Sequence, residues 1–221
     1  VDADGNPQGD TDISLAELSV VADAFTTPFQ SVKDSGLTAD DTAIFNGVGG
    51  VGGFGAQIAK AKGASVIAID VDDEKLEMIA PFVDKTFNAA SMDFKQLRKS
   101  VSGFVKESGR RRTEWKIFET SGTPAGQKTA FGLLTFGASL AVVGFTMAAP
   151  ELRISNLMAF NATARGNWGC LPEYYQPALE LVLSGKVNLG PFVKKFPLDQ
   201  INEVFEMVHS RKIKERPVLV P

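Results

Sequence analysis

Apolar and polar positions fall into alternating blocks through the middle of the chain. Five short apolar runs stand out, at Thr42–Asn46 (TAIFN), Ser65–Asp70 (SVIAID), 86–88, 115–119 (WKIFE) and 138–143. Turn-forming residues bound these runs, and the longer ones are apolar almost throughout, as strands buried on both faces are. A sixth strand is expected at 151–154. Between the runs, apolar residues recur at helical spacing. Over 53–62, Phe54, Ile58 and Ala61 share one face and Gly63 supplies the stop. Further helices are predicted over 73–80, 93–108 and 124–136, the last with proline in its first turn. A helix over 23–34 and a turn over 36–41 lead into the first strand. Strands alternating with helices predict a parallel sheet covered on both faces, and right-handed crossovers make it doubly wound. From about Asn167 the alternation lapses into helices over 173–184 and 198–210 and a last strand at Arg216–Val220. These pieces, with 12–21, are expected to belong to a second domain.

Composition bounds this picture without redirecting it. The 221 residues suffice for one full domain and part of another, and 44% hydrophobic residues allow a real core. A formal net charge of −3 provides no overall basic field for nucleic acid or an anionic membrane. The one basic run, Arg110-Arg111-Arg112, is expected in a solvated loop, with phosphate binding as its alternative. The single cysteine, Cys170, excludes an intrachain disulfide and a zinc site of several cysteines, and fits a reducing, cytoplasmic setting. No apolar stretch approaches the roughly 18 residues of a membrane span. The polar, acidic start of the chain is not expected to be a signal peptide. Its Asp2, Asp4 and Asn6 have the spacing of a calcium loop, but Ile13 stands where such a loop needs a bidentate Glu, so a solvated loop is expected.

The sharpest chemical signal is Gly47-Val48-Gly49-Gly50-Val51-Gly52, which contains G-x-G-x-x-G at Gly47, Gly49 and Gly52. The spacing alone is weak. Here it follows a predicted strand and opens a predicted helix, the context the motif requires. The first glycine permits the tight turn, the second lets a pyrophosphate approach bare backbone, and the third lets helix and strand pack closely. Free N–H groups and the positive end of the helix dipole favour phosphate charge. Asp70 ends the next strand, 18 positions after Gly52. A carboxylate there accepts hydrogen bonds from the hydroxyls of an adenosine ribose and repels a 2′-phosphate, which selects NAD over NADP. No Walker lysine follows the glycines, which argues against a nucleotide triphosphatase.

The run GVGGVGGFGAQIAKAKGASVIAIDVDDEKLEM resembles medium-chain dehydrogenase/reductases of the alcohol dehydrogenase type. WKIFETSGTPAGQ, FGLLTFGASLAVVGFTM and ISNLMAFNATARGNWGCLPEYY resemble the branch of that family acting on 6-hydroxycyclohex-1-ene-1-carbonyl-CoA in anaerobic benzoyl-CoA degradation. The resemblance implies an NAD-dependent oxidation of a secondary alcohol to a ketone, on an alicyclic acyl-CoA. It implies three parts: residues 1–24 as the end of a GroES-like catalytic domain, 25–167 as an NAD-binding Rossmann domain, and 168–221 as the return to the catalytic domain. The family begins with most of that catalytic domain, which carries two zinc ligands and the proton relay. The chain is therefore expected to be the C-terminal portion of such an enzyme, with no catalytic residue of its own.

Carried over residue by residue, the resemblance implies that Gly47, Gly49, Gly50, Val51 and Gly52 bind the pyrophosphate, and that Asp70 and Lys75 bind the adenosine ribose. Thr27 lies beside the nicotinamide. Thr120, Ser121, Val143, Gly144 and Phe145 line the cofactor from strand-end loops, Asn167 lies at the nicotinamide end, and Arg216 reaches the pyrophosphate. Asp23 stands where many members have a cysteine that is the third ligand of a catalytic zinc; its alternative is to cap the helix that follows. The family also implies a homo-oligomer paired through Rossmann sheet edges, with 151–154 as the edge strand.

The remaining residues have plainer expectations. His209, the single histidine, sits late in a helix whose core face is Ile201, Val204, Phe205 and Val208, where the dipole favours it. Trp168, Cys170, Tyr174 and Tyr175 are expected to pack between the two domains, or in part to line a substrate pocket. Two alternatives to an alcohol dehydrogenase stay open: a zinc-free quinone or enoyl reductase of the same superfamily, and a non-catalytic NAD-binding regulatory domain.

Overall fold

The computed structural model describes residues 13–210 and 212–221, and the N-terminal loop with its calcium-like spacing lies outside them. Strands β1 (Thr42–Asn46), β2 (Ser65–Asp70), β3 (Lys85–Asn88), β4 (Lys116–Glu119), β5 (Ser139–Val142) and β6 (Thr163–Gly166) form one all-parallel sheet in the order β3-β2-β1-β4-β5-β6. The winding reverses between β1 and β4, so a crevice opens outside the carboxyl ends of those two strands. Strands β7 (Val193–Pro197) and β8 (Arg216–Val220) pair separately, also in parallel. The helices are α1 (Leu15–Leu18), α2 (Thr26–Asp34), α3 (Gly50–Ala61), α4 (Asp73–Ile79), α5 (Phe94–Glu107), α6 (Pro124–Gly132), α7 (Ser155–Ala159), α8 (Tyr175–Leu183) and α9 (Ile201–His209). This is the doubly wound α/β sheet that the alternating blocks predict.

Strand alternation sends side chains into two separate cores. Ala43, Phe45, Val66, Ala68 and Phe118 face one layer, with Phe25, Phe54, Ala178, Val182 and Phe192. Ile44, Ile67, Ile69 and Ile117 face the other, with Leu97, Val101, Val105 and Trp115. Phe45 and Phe118 stack across β1 and β4, with ring centroids 4.5 Å apart and planes 8° apart. Each fully buried side chain of this size contributes about 1.5–3 kcal/mol relative to exposure. Local signals set the helix starts. Asp93 and Gln96 form a reciprocal capping box at α5, and Thr123 caps α6 ahead of Pro124.

Four expectations change. Helix α3 begins at Gly50, three residues before its predicted start, because Gly49 is extended and caps it from inside the glycine motif. The sixth strand and sheet edge is not 151–154 but β6, Thr163–Gly166. Residues 151–154 follow Pro150 with nothing to cover Ile154, whereas Thr163 N–H reaches Ala138 O at 3.0 Å and Asn167 N–H reaches Val142 O at 2.9 Å. All four residues of β6 are exposed, so it carries no apolar signature for sequence to register. Strand β7 is unpredicted; two exposed lysines separate its half-buried Val193 and Phe196, which breaks the alternation of a strand, and it exists through its pairing with β8. On α9 only Val204 is fully buried, while Phe205 and Val208 remain exposed.

Candidate functional site

The turn between β1 and α3 is the centre of the crevice, and its glycines are required for different reasons. Gly47 has φ +96°, and a side chain there would place its Cβ 2.5 Å from the Ser121 backbone. A Cβ on Gly52 would lie 1.9 Å from the Gly47 carbonyl oxygen. Both are dictated by packing of the protein against itself. A Cβ on Gly49 meets only the Lys75 Nζ, at 4.0 Å. The bareness of Gly49 serves no internal contact, so it keeps the backbone open toward the crevice. The Thr120 hydroxyl donates to Gly47 O at 2.6 Å and Asn46 Nδ2 to Gly126 O at 2.9 Å, tying the turn to β4 and α6.

Positive groups ring this turn. The free N–H groups of α3 start at Gly50. Lys75 lies beside Gly49, and the Arg216 Cβ and Cδ lie 3.7 Å from the position of a Cβ on Gly50. Asp70 closes the same side. Its carboxylate accepts from Val48 N–H at 2.8 Å, Val71 N–H at 2.7 Å and Asp72 N–H at 3.1 Å, and is almost fully buried. It therefore organises the glycine turn as well as facing the crevice. Asp72, the N-cap of α4, pairs with Lys214, which holds its carboxyl below the ordinary value and raises the lysine. That pair moors the chain just before β8 to the turn after β2.

Two clefts flank the glycine turn. One, of about 360 Å³, is lined by Gly47, Gly49, Asp70, Val71 and Lys75, and closed by Val208 and Ile213. The other, of about 470 Å³, is lined by Thr27, Val51, Val143, Gly144, Phe145 and Asn167, with Asp23 and Trp168 at its mouth. Thr120 and Ser121 line both. The residues singled out from sequence as cofactor contacts thus lie along one crevice, with Gly50, Gly52 and Arg216 in or over the turn between the clefts. Asn167 is set by bonds to α2: its Nδ2 donates to Thr27 O at 3.3 Å and its Oδ1 accepts from Gln30 Nε2 at 3.0 Å.

Asp23 is 71% exposed at its side chain, accepts from the Thr27 hydroxyl at 3.1 Å and lies 3.4 Å from Arg216. It does not cap α2, whose N-cap is Phe25. Among the described residues no group of three or more His, Cys, Asp or Glu side chains converges on a metal position. One carboxylate paired to an arginine is not a zinc site by itself, since a structural or catalytic zinc takes three or four such ligands.

Trp168, for which packing between domains and lining of a pocket were both open, is 89% exposed at the cleft mouth. One residue beside the site escapes the sequence reading. Glu119, the last residue of central strand β4, is fully buried, and burial pushes its carboxyl up from the ordinary value. A glutamate ending an apolar run such as WKIFE is the signal that marks it. Arg111, by contrast, is structural: it pairs with Asp41 and Glu114.

Comparison with known proteins agrees with this geometry. Residues 50–184 match the model of a family described as zinc-binding dehydrogenase. An alcohol dehydrogenase of Geobacillus stearothermophilus is 29% identical over 205 residues, 92% of this chain and 57% of the relative. Galactitol-1-phosphate dehydrogenase from Escherichia coli superposes with a TM-score of 0.83 at 23% identity, over 98% of this chain and 62% of that one. A short chain alcohol dehydrogenase from E. coli CFT073, solved with NADH, superposes with a TM-score of 0.79 at 17% identity, over 98% of this chain and 61% of that one. The chain spans about three fifths of the length of these proteins.

Proposed function

The chain belongs to the zinc-binding dehydrogenase family, and from that premise we propose that it is the dinucleotide-binding portion of an NAD-dependent alcohol dehydrogenase. The observation that carries this reading is Gly49: a bare backbone position facing open space between Lys75, the start of α3 and a buried carboxylate.

In this reading the α3 N–H groups, Lys75 and Arg216 hold the pyrophosphate. Asp70 takes the adenosine ribose. Three backbone N–H groups already occupy it, leaving about one of a carboxylate's roughly four acceptor sites for a hydroxyl. A 2′-phosphate would meet its charge at close range, which favours NAD over NADP. Thr27, Val143, Gly144, Phe145 and Asn167 orient the nicotinamide half, and exposed Phe145 and Trp168 shield its cleft from water. NAD held there would supply a hydride acceptor for oxidation of a secondary alcohol to a ketone. The described residues do not assemble a zinc site, so no step is assigned to zinc; Asp23 is at most one ligand of a set completed elsewhere.

The finer parts of the reading rest on resemblance. They are a 6-hydroxycyclohex-1-ene-1-carbonyl-CoA substrate, division at 1–24, 25–167 and 168–221, and pairing of two copies through a sheet edge, which the corrected topology moves to β6. The deciding experiment is titration of the chain with NADH and NADPH. Micromolar-range binding of NADH with at least about tenfold weaker NADPH supports the assignment; binding of neither overturns it.

A further inference from the structure

Glu119 is a buried titratable group with no part in the contacts assigned so far. Its Oε1 accepts from Ser121 N–H at 2.9 Å and from the Ser121 hydroxyl at 2.5 Å. Its main-chain oxygen accepts from both Val143 N–H and Gly144 N–H at 2.9 Å. Its Oε2 is buried without a hydrogen-bond partner, and a Cβ on Gly144 would sit 2.8 Å from it and 2.3 Å from Gly122 N. One residue thus joins the loop after β4 to the loop after β5, and both loops line the cleft assigned to the nicotinamide. We propose that Glu119 is a positioning residue that holds these two loops in the cofactor-binding arrangement, the first through its carboxyl group and Ser121 and the second through its main-chain oxygen.

The chemistry follows from the donors. Ionised, the carboxylate accepts both Ser121 donors, with the Gly122 N–H nearby also favouring the charge. Protonated on Oε1, it can donate to the Ser121 hydroxyl instead of accepting from it, so the closed, buried arrangement accommodates the neutral acid more readily than an opened, solvated one would. Burial raises the carboxyl above its ordinary value, while the Ser121 and Gly122 donors pull it down. Neither Lys116 at the far end of β4, nor Lys128 on α6, nor Arg216 across the crevice forms an ion pair with Glu119, Asp23 lies at the mouth of the same cleft, and Asn46 and Val142, which flank Glu119 on β1 and β5, carry no charge.

The proposal rests on the cofactor reading, and the test separates the two. NADH affinity of the chain is measured by fluorescence between pH 5.5 and 8.5 for wild type, Glu119→Gln and Ser121→Ala. Wild-type affinity should rise toward acid, by up to roughly tenfold for each pH unit by which closure of the two loops raises the Glu119 carboxyl. Glu119→Gln should bind with less than about twofold change over the range. Ser121→Ala, which removes a donor to the carboxylate, should shift the wild-type midpoint to higher pH. Parallel profiles in wild type and Glu119→Gln, affinity falling toward acid in wild type alone, or an unmoved midpoint in Ser121→Ala each overturn the role of Glu119. Should Glu119→Gln fail to fold, Ser121→Ala decides alone. Absence of NADH binding to wild type at every pH overturns the cofactor reading, and the proposal with it.

Discussion

On one side of the glycine turn, β2 is buried along its whole length and delivers Asp70 into three backbone N–H groups. On the other side burial falls away from strand to strand, through β4 and β5 to a β6 that is exposed throughout, and the cleft walls end in exposed Phe145 and Trp168. The first half is finished by its own hydrogen bonds. The second is held by one buried acid and presents apolar side chains outward. On the proposed reading, the half assigned to an invariant adenosine gains from rigidity, whereas the half assigned to a substrate gains from surface left open for contacts of another kind.

The largest expected effect comes from setting two glycines of the turn against each other. Gly52→Ala forces a Cβ into the Gly47 carbonyl and should cost about 3 kcal/mol or more, read as a collapse of the melting temperature. Gly49→Ala keeps φ at −67° in open space, so stability should change by less than about 1 kcal/mol while NADH affinity falls at least about tenfold. Equal destabilisation by both would erase the distinction between packing glycine and ligand glycine.

Next in size is Asp70→Ala. It removes the acceptor of three backbone donors and should destabilise the fold by about 1–3 kcal/mol, as urea unfolding would report. Beyond that loss, NADH binding should weaken more than NADPH binding; equal loss for both cofactors removes the ribose role.

Glu119 sharpens the other half. Its folded pKa is raised, so the stability it lends is fully present below its unfolded value and is lost as pH rises through the folded value. Wild type should therefore lose stability relative to Glu119→Gln between the ordinary glutamate range and that higher value, by about 1.4 kcal/mol for each tenfold change in proton affinity. Urea melts at several pH values measure it, and a difference that stays flat with pH sinks it.

The smallest effect belongs to the Lys214–Asp72 mooring. Both side chains are partly solvated, so Lys214→Ala should cost no more than about 1 kcal/mol at low salt and less at high salt. A loss that ignores salt would point instead to packing of the lysine stem.

The legibility of these features differs for physical reasons. Buried central strands, capped helices and the glycine turn were readable because each is set by local chemistry: apolar runs, Thr or Asp caps, and three glycines at fixed spacing between a strand and a helix. The alternation of strands and helices implied the doubly wound sheet, the glycine spacing and Asp70 marked the pyrophosphate and ribose positions, and the remaining residues of the candidate site came only from the family resemblance. Strands β6 and β7 were not readable, since an exposed edge and a two-strand pairing exist only through main-chain bonds to a neighbour distant in sequence. Tertiary structure alone decided that Asp70 braces the turn it faces, that Asp23 meets Arg216 rather than a cluster of ligands, and that Glu119 lies under Gly144. Each of these depends on the distance between segments brought together only when the sheet closes, and burial, which sets the proton affinity of a carboxylate, is a property of that closure and not of any one stretch of chain.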